Sequence, residues 1–244
     1  MTETPDPFRH HPQLAPLITP PEDSRLRGFT PDAARTLIGE HGGDIGWILD
    51  EDEREDCRQQ ALANRWHGDL WIFAYGSLMW DPAIHFTEIR RAFASDMERR
   101  FILFDDQGGR GTKQTPGVMA ALDYGVGCQG LVIRIPQSRL DAETRILWNR
   151  ERIGPAYLPH FIPVETGMGK VEALAFLANH DAEMIRPDSS HEEQVQCCAT
   201  GSGFLGTSLE YVASLATHFD ALGIEDAGVT TLLTDARAYA AAHP

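Results

Sequence analysis

From residue 70 the chain changes character. Between there and residue 177 it passes through six short aromatic or β-branched runs, 70–75, 100–104, 118–122, 129–135, 161–164 and 171–177. Such runs fit a pleated, half-buried surface, and turn residues separate them. Only one helical segment interrupts them, at about 139–152. A parallel sheet needs a crossover, usually a helix, between successive strands, and a single helix cannot supply that. The order predicts an α+β domain on a mainly antiparallel sheet, with closure into a barrel as one solution to its edges.

Helix signals surround this region. Thr30 and Pro31 read as N-cap and first helical residue, with a stop near Gly42 and Gly43. A second helix carries the charge run 50–56 as a solvated face and reaches Trp66. Ser138 with Asp141, and Thr207 with Glu210, are spaced as capping boxes, and Gly223 follows the second of these helices as a C-terminal stop. Further helices are expected at 190–200 and 229–242. Residues 1–28 are rich in proline and acid and read as a flexible or surface-draped arm. The organisation expected is an N-terminal arm and helical extension over 1–69, then one domain over 70–244.

Charge narrows the function. With 36 acidic and 21 basic side chains the net charge is −15. That repels phosphate backbones and anionic membrane surfaces, so neither nucleic acid nor membrane is an expected partner. The four cysteines show no C-x-x-C spacing, the N-terminus lacks the pattern of a signal peptide, and no stretch approaches a bilayer span. A cytoplasmic protein with reduced thiols is expected.

Several motifs are decoys. Residues 125–130 match G-x-G-x-x-G but lie between two strand-like runs and read as a hairpin turn. Residues 201–206 match it too, yet what precedes them looks helical, whereas dinucleotide binding needs a strand there. Gly169 and Lys170 lack the rest of a P-loop. The histidines show no metal-ligand spacing, so no metal is expected. Gly76-Ser77-Leu78-Met79 is not the nucleophile elbow of hydrolases.

Three features carry possible chemistry. On the helix opening at Ser138, residues Leu140, Thr144, Leu147 and Trp148 form one stripe, and Glu151 continues it at offset 11. An inward carboxylate is either a general acid–base with a raised pKa or one half of an ion pair with an arginine such as Arg110 or Arg150. Tyr75-Gly76-Ser77-Leu78 ends the first core strand. Its backbone N–H groups form either an anion-binding nest or a plain tight bend. In 108–112 a glycine frame holds Arg110, suited to grip a carboxylate or simply to be solvated.

Four blocks in order, WIFAYGSLMWDP, RGTKQTPGVMAALD, LWNRERIGPAYLPHF and GFLGTSLEYV, resemble the ChaC-type glutathione-specific γ-glutamylcyclotransferases from about Trp71 to the C-terminus. The resemblance implies a small, mainly antiparallel or mixed β-barrel with flanking helices and a pocket at one end. It implies cleavage of glutathione to 5-oxoproline and cysteinylglycine without cofactor or metal, and no obligate protein partner. It places the catalytic glutamate at Glu151 and the γ-glutamyl-binding loop at Tyr75, Gly76, Ser77 and Leu78. The R-G-T block falls on Arg110, Gly111 and Thr112, and a pocket tyrosine on Tyr211. Ala74 stands where the family usually has glycine, and Ser208 where it has asparagine. Competing readings are a cyclotransferase acting on another γ-glutamyl peptide or γ-glutamylamine, a non-enzymatic binding or regulatory protein, and a nucleotide binder using 201–206.

Overall fold

The computed structural model describes residues 5–40 and 44–243. Two helices lead the chain, α1 (Pro31–Glu40) and α2 (Glu51–Leu62). The sheet follows as β1 (Leu70–Ala74), β2 (Glu88–Ala94), β3 (Met97–Gln107), β4 (Thr112–Tyr124) and β5 (Cys128–Ile135). Helix α3 (Leu140–Glu151) separates these from β6 (Tyr157–Thr166) and β7 (Gly169–Ala178). Helix α4 (His191–Thr200), the short pair β8 (Ser202–Gly203) and β9 (Gly206–Thr207), α5 (Ser208–Leu222) and α6 (Ala227–Ala242) complete the chain.

Five strands close a ring in the order β1-β5-β2-β6-β7, and β7 returns to β1 through Trp71↔Ala173 and Ile72↔Leu174. Every pairing in the ring is antiparallel except this last one. The same edge of β7 takes β4 farther along, at Leu122↔Leu177, and β3 pairs with β4 as an arm beyond the ring. The barrel is therefore mixed, closed and flanked by helices. One cluster draws on all five ring strands, including Phe73, Ala92, Val132, Ile162 and Ala173. The alternate residues Ile72, Ile133, Leu174 and Phe176 pack instead with Leu147, Trp148, Leu215 and Phe219 of the helices. This is the two-residue alternation expected of a sheet buried on both faces.

The expected strands all form, most of them longer than the apolar runs, and β2 is an addition. Helix α5 starts as its sequence implies: Thr207 accepts from Glu210 N at 3.0 Å, Glu210 accepts from Thr207 N at 2.9 Å, and Gly223 adopts φ 60°. The start of α3 differs. A 3-10 turn, Gln137–Arg139, occupies the position of the expected capping box, and Arg139 is the N-cap without a side-chain hydrogen bond. Residues 125–130 join β4 to β5, which do not pair, so they are a link between strands and not a hairpin turn. The expected stop of α1 at Gly42 and Gly43 lies outside the described residues.

The N-terminal arm is draped and anchored. Leu14 and Ile18 are buried in the main core, and His11 Nε2 accepts from Arg91 N at 2.9 Å. Helix α2 ends at Leu62, short of Trp66, and its inner face is cationic. Arg58 is fully buried and bonds Glu55, the Asp141 carboxylate and Thr144 Oγ1 at 2.7–2.8 Å. The charge run has an outer acidic face at Glu51, Asp52 and Glu53, and an inner arginine face.

Candidate active site

A cavity of about 930 Å³ opens between α3, the β3–β4 arm, the start of α5 and the N-terminal extension. Glu151, the last residue of α3, lines it with its side chain 12% exposed. The stripe of Leu140, Thr144, Leu147 and Trp148 is buried as its spacing implied, and carries Glu151 inward. This carboxylate combines an ion pair with a raised pKa. Its Oε1 accepts from Arg150 Nε at 2.8 Å, yet burial still pushes its pKa above the ordinary carboxylate value, against the lowering effect of Arg150. A carboxylate at a helix C-terminus also meets the negative end of the macrodipole, which acts in the same direction. Oε2 receives no hydrogen bond among the described residues.

Arg150 organises this end of the cavity. Besides Glu151 it donates to Ser77 Oγ at 2.9 Å and to the Asp81 carbonyl. Ser77 begins a single 3-10 turn, Ser77–Met79, directly after β1. The N–H groups of Met79, Trp80 and Asp81 bond back to Gly76 and Ser77 carbonyls, whereas those of Ser77 and Leu78 have no backbone acceptor. Arg99 holds the base of the turn from behind, donating to the Tyr75 carbonyl at 2.7 Å and also to the Gln129 carbonyl and Asp226.

The cavity brings together Ser77, Arg110, Glu151 and Tyr211. Tyr211 is buried, accepts from Ala120 N at 3.3 Å, and has no acceptor for its own proton among the described residues. A Cβ at residue 76 would lie 2.8 Å from its hydroxyl, so glycine there is a condition of the close approach. Arg110 donates to the Thr207 carbonyl at 3.0 Å, with its guanidinium 5.1 Å from the Tyr211 ring centre. Burial lowers its pKa.

Tyr75, Gly76, Leu78, Gly111 and Thr112 do not line the cavity. The Tyr75 hydroxyl donates to the Phe176 carbonyl at 2.7 Å inside the protein. Thr112 Oγ1 bonds Thr115 at the start of β4. Gly111 lets the loop pass β4, since a Cβ would meet Gly117 N at 2.0 Å. These residues shape the wall from behind it.

Three participants went unnoticed in the sequence. Tyr157 lines the cavity and donates to the Ala120 carbonyl at 2.9 Å, and burial raises its pKa well above the usual phenol value, as it does for Tyr75. The charge of Glu151 contributes to both shifts, which places the two phenols in its field. Asp105, buried on β3, accepts from Gln107 N at 2.9 Å and from Arg110 N, and so fixes the glycine loop. The extension is the third: Arg25, Leu26, Phe29, Ile38 and Trp47 form one wall of the cavity. A Pro-Ala-Tyr run after Glu151 could have flagged Tyr157, but nothing local flags the wall.

The glycine motif at 201–206 forms the β8–β9 hairpin after helix α4, and its Phe204 and Leu205 N–H groups bond the carbonyls of Gly108 and Gly109. The preceding strand that a dinucleotide fingerprint requires is a helix here. Among the described residues, no three His, Cys, Asp or Glu side chains converge as a metal cage. No described helix is long and apolar enough to cross a membrane.

Comparison with known proteins identifies the family and agrees with the fold. A glutathione-specific γ-glutamylcyclotransferase of Escherichia coli is 36% identical over 171 residues, covering 70% of this chain and 74% of that protein. Glutathione-specific γ-glutamylcyclotransferase 1 of Danio rerio is 30% identical over 152 residues, covering 60% and 77%. The crystal structure of a γ-glutamyl cyclotransferase specific to glutathione from yeast shares the fold with TM-score 0.68, at 20% identity, over 72% of this chain and 99% of its own. The family model described as ChaC-like protein matches residues 70–239. The chain belongs to the ChaC-like protein family.

Proposed function

We propose that the protein cleaves glutathione into 5-oxoproline and cysteinylglycine, with Glu151 as the group that moves the proton. The observation that carries this reading is a partly desolvated carboxylate of raised pKa, with one free oxygen, at the floor of a cavity able to take a tripeptide. Curated relatives named for the same reaction support it.

The substrate's α-amine is the nucleophile. Folding the γ-glutamyl chain back on itself brings that nitrogen to its own γ-carbonyl, so the attack is intramolecular and benefits from high effective molarity. Glu151 takes a proton from the α-ammonium, the amine attacks the carbonyl carbon, and a tetrahedral centre with a negative oxygen forms. The Tyr211 proton and the free N–H group of Ser77 are the donors available for anionic oxygens of the substrate. Collapse breaks the old C–N bond as the proton held by Glu151 passes to the departing cysteine nitrogen, and the ring nitrogen, left with one proton too many by the attack, gives that second proton through Glu151 to the released amine. The new lactam C–N bond and the protonated dipeptide amine balance the reaction, so neither a cofactor nor a second nucleophile enters it. Arg150 orients Glu151 throughout.

We place the activity in the cytosol, where glutathione is abundant and the four free cysteines stay reduced. Incubation of the purified chain with glutathione, followed by assay of 5-oxoproline and cysteinylglycine, tests the reading. Equal amounts of the two products are expected, and absence of both at high enzyme concentration refutes it.

A further inference from the structure

The family match begins at residue 70, yet the cavity wall includes Arg25, Leu26, Phe29, Ile38 and Trp47 of the extension. The described parts of this extension are held in place by specific contacts. Phe29 stacks on Phe204 at 6.2 Å, and Ala34, Ile38 and Ile48 form a small core with Trp47, Ile153 and Phe204. Leu49 N bonds the Ile153 carbonyl at 2.9 Å, just past the end of α3. Arg27 grips Glu143 with two hydrogen bonds at 2.7 and 3.1 Å and the Ala83 carbonyl at 2.8 Å. The neighbouring backbone is pinned too, since Ser24 is buried and its hydroxyl accepts from Leu26 N at 3.2 Å.

Three arginines line the cavity, and they differ in their commitments. Arg150 is spent on Glu151, Ser77 and Asp81, and Arg110 on Thr207 and the Tyr211 ring. Arg25 reaches the same cavity from the extension with no hydrogen bond or ion pair among the described residues. Arg25 is solvent-exposed on an anchored stretch of backbone at the cavity edge, so its donors are open to an anionic group that enters the cavity. Glutathione carries two carboxylates. The one on the γ-glutamyl group must lie by the reacting centre, so the glycine carboxylate at the other end has to find its own partner or lose hydration uncompensated.

We propose that Arg25 binds the C-terminal carboxylate of the peptide half of the substrate, making the N-terminal extension the specificity wall of the site. This rests on the cyclotransferase reading above and adds to it the end of the substrate that the chemistry leaves unread. Apolar Leu26 and Phe29 beside Arg25 then face the cysteine side chain. A γ-glutamylamine or a γ-glutamyl peptide ending in an amide lacks the group that Arg25 reads.

The test compares glutathione with its C-terminal amide, in which the glycine carboxylate is a carboxamide, on the wild-type chain and on Arg25→Ala, Arg25→Lys and Arg25→Gln. Expected for Arg25→Ala is a KM for glutathione raised about tenfold, with kcat within twofold. The KM for the amide, already high on wild type, should move less than twofold, and Arg25→Lys should recover part of the glutathione KM. Equal rises of KM on both substrates would show a wall residue without carboxylate recognition and overturn the proposal, as would no change on either. Arg25 makes no contact whose loss threatens folding, and an unchanged Tm checks this. If wild type releases no 5-oxoproline from glutathione or its amide, the function itself fails; if it does and the variants behave alike on both substrates, only the Arg25 assignment fails.

Discussion

Helix α3 carries two carboxylates toward the interior, and their surroundings could hardly differ more. Glu143 is 2% exposed and saturated: two hydrogen bonds from Arg27, one from His85 N at 3.0 Å, and Arg139 at 4.0 Å. Glu151, two turns on, has Arg150 on one oxygen and open cavity beside the other. Burial alone therefore does not mark a reactive carboxylate. Glu143 is held so completely that it can only be structural, fastening the extension to the barrel through Arg27. Glu151 is held enough to be aimed and too little to be satisfied, which is the state a proton carrier needs.

Substitutions can break this contrast. Glu151→Gln keeps the shape and removes the basicity, so kcat on glutathione should fall about 10²–10⁴-fold. Near wild-type turnover by this variant would remove Glu151 from the chemistry. Glu143→Gln should leave turnover per folded molecule within a few-fold and lower stability by about 3 kcal/mol, read as a drop in urea midpoint, because the Arg27 charge loses its partner. A stable variant with lost activity would reverse the two roles.

The contrast also has a pH signature. A general base works only while ionised, so activity falls as pH drops through its pKa. Since burial raises the pKa of Glu151, the acid limb of kcat/KM should lie above the range of an ordinary glutamate. A limb at or below that range contradicts a desolvated base. The smallest effect expected is at the helix starts. Thr207→Ala should cost about 1 kcal/mol through its lost cap, whereas Ser138→Ala, at the head of α3, should be nearly neutral, since Ser138 caps nothing. Equal costs at the two positions would mean that the 3-10 turn before α3 is not what sets that helix.

Much of the barrel was legible because its strands are apolar on both faces, and the helix pattern of α3 led to Glu151 by spacing alone. Strand β2 was hidden by its own charge. Glu88, Arg90 and Arg91 read as surface, yet Arg90 and Arg134 lie over the Trp71 ring at 4.6 and 5.7 Å, and Glu88 is buried among Arg9, Arg90 and Arg134. Arginine stems covering an aromatic ring defeat a reading by polarity. The anchoring of the arm was half visible, since Leu14 and Ile18 are four residues apart, but proline and acid around them masked the signal. The cavity wall was illegible for a stronger reason. Arg25, Phe29 and Trp47 acquire their place only when the extension docks on Phe204, Ile153 and Gly154, contacts more than 100 residues away.

Because Arg150 grips Ser77 and the Asp81 carbonyl as well as Glu151, its position does not depend on the charge of the carboxylate. In the proposed reaction a proton leaves the substrate ammonium for Glu151 and later returns to the substrate, so no charge crosses the boundary of the cavity at any step. The total inside stays constant while its distribution shifts by a few ångströms beside an immobile cation. A site built this way has little dielectric rearrangement to wait for, and the acid that dominates the protein's exterior has no occasion to respond.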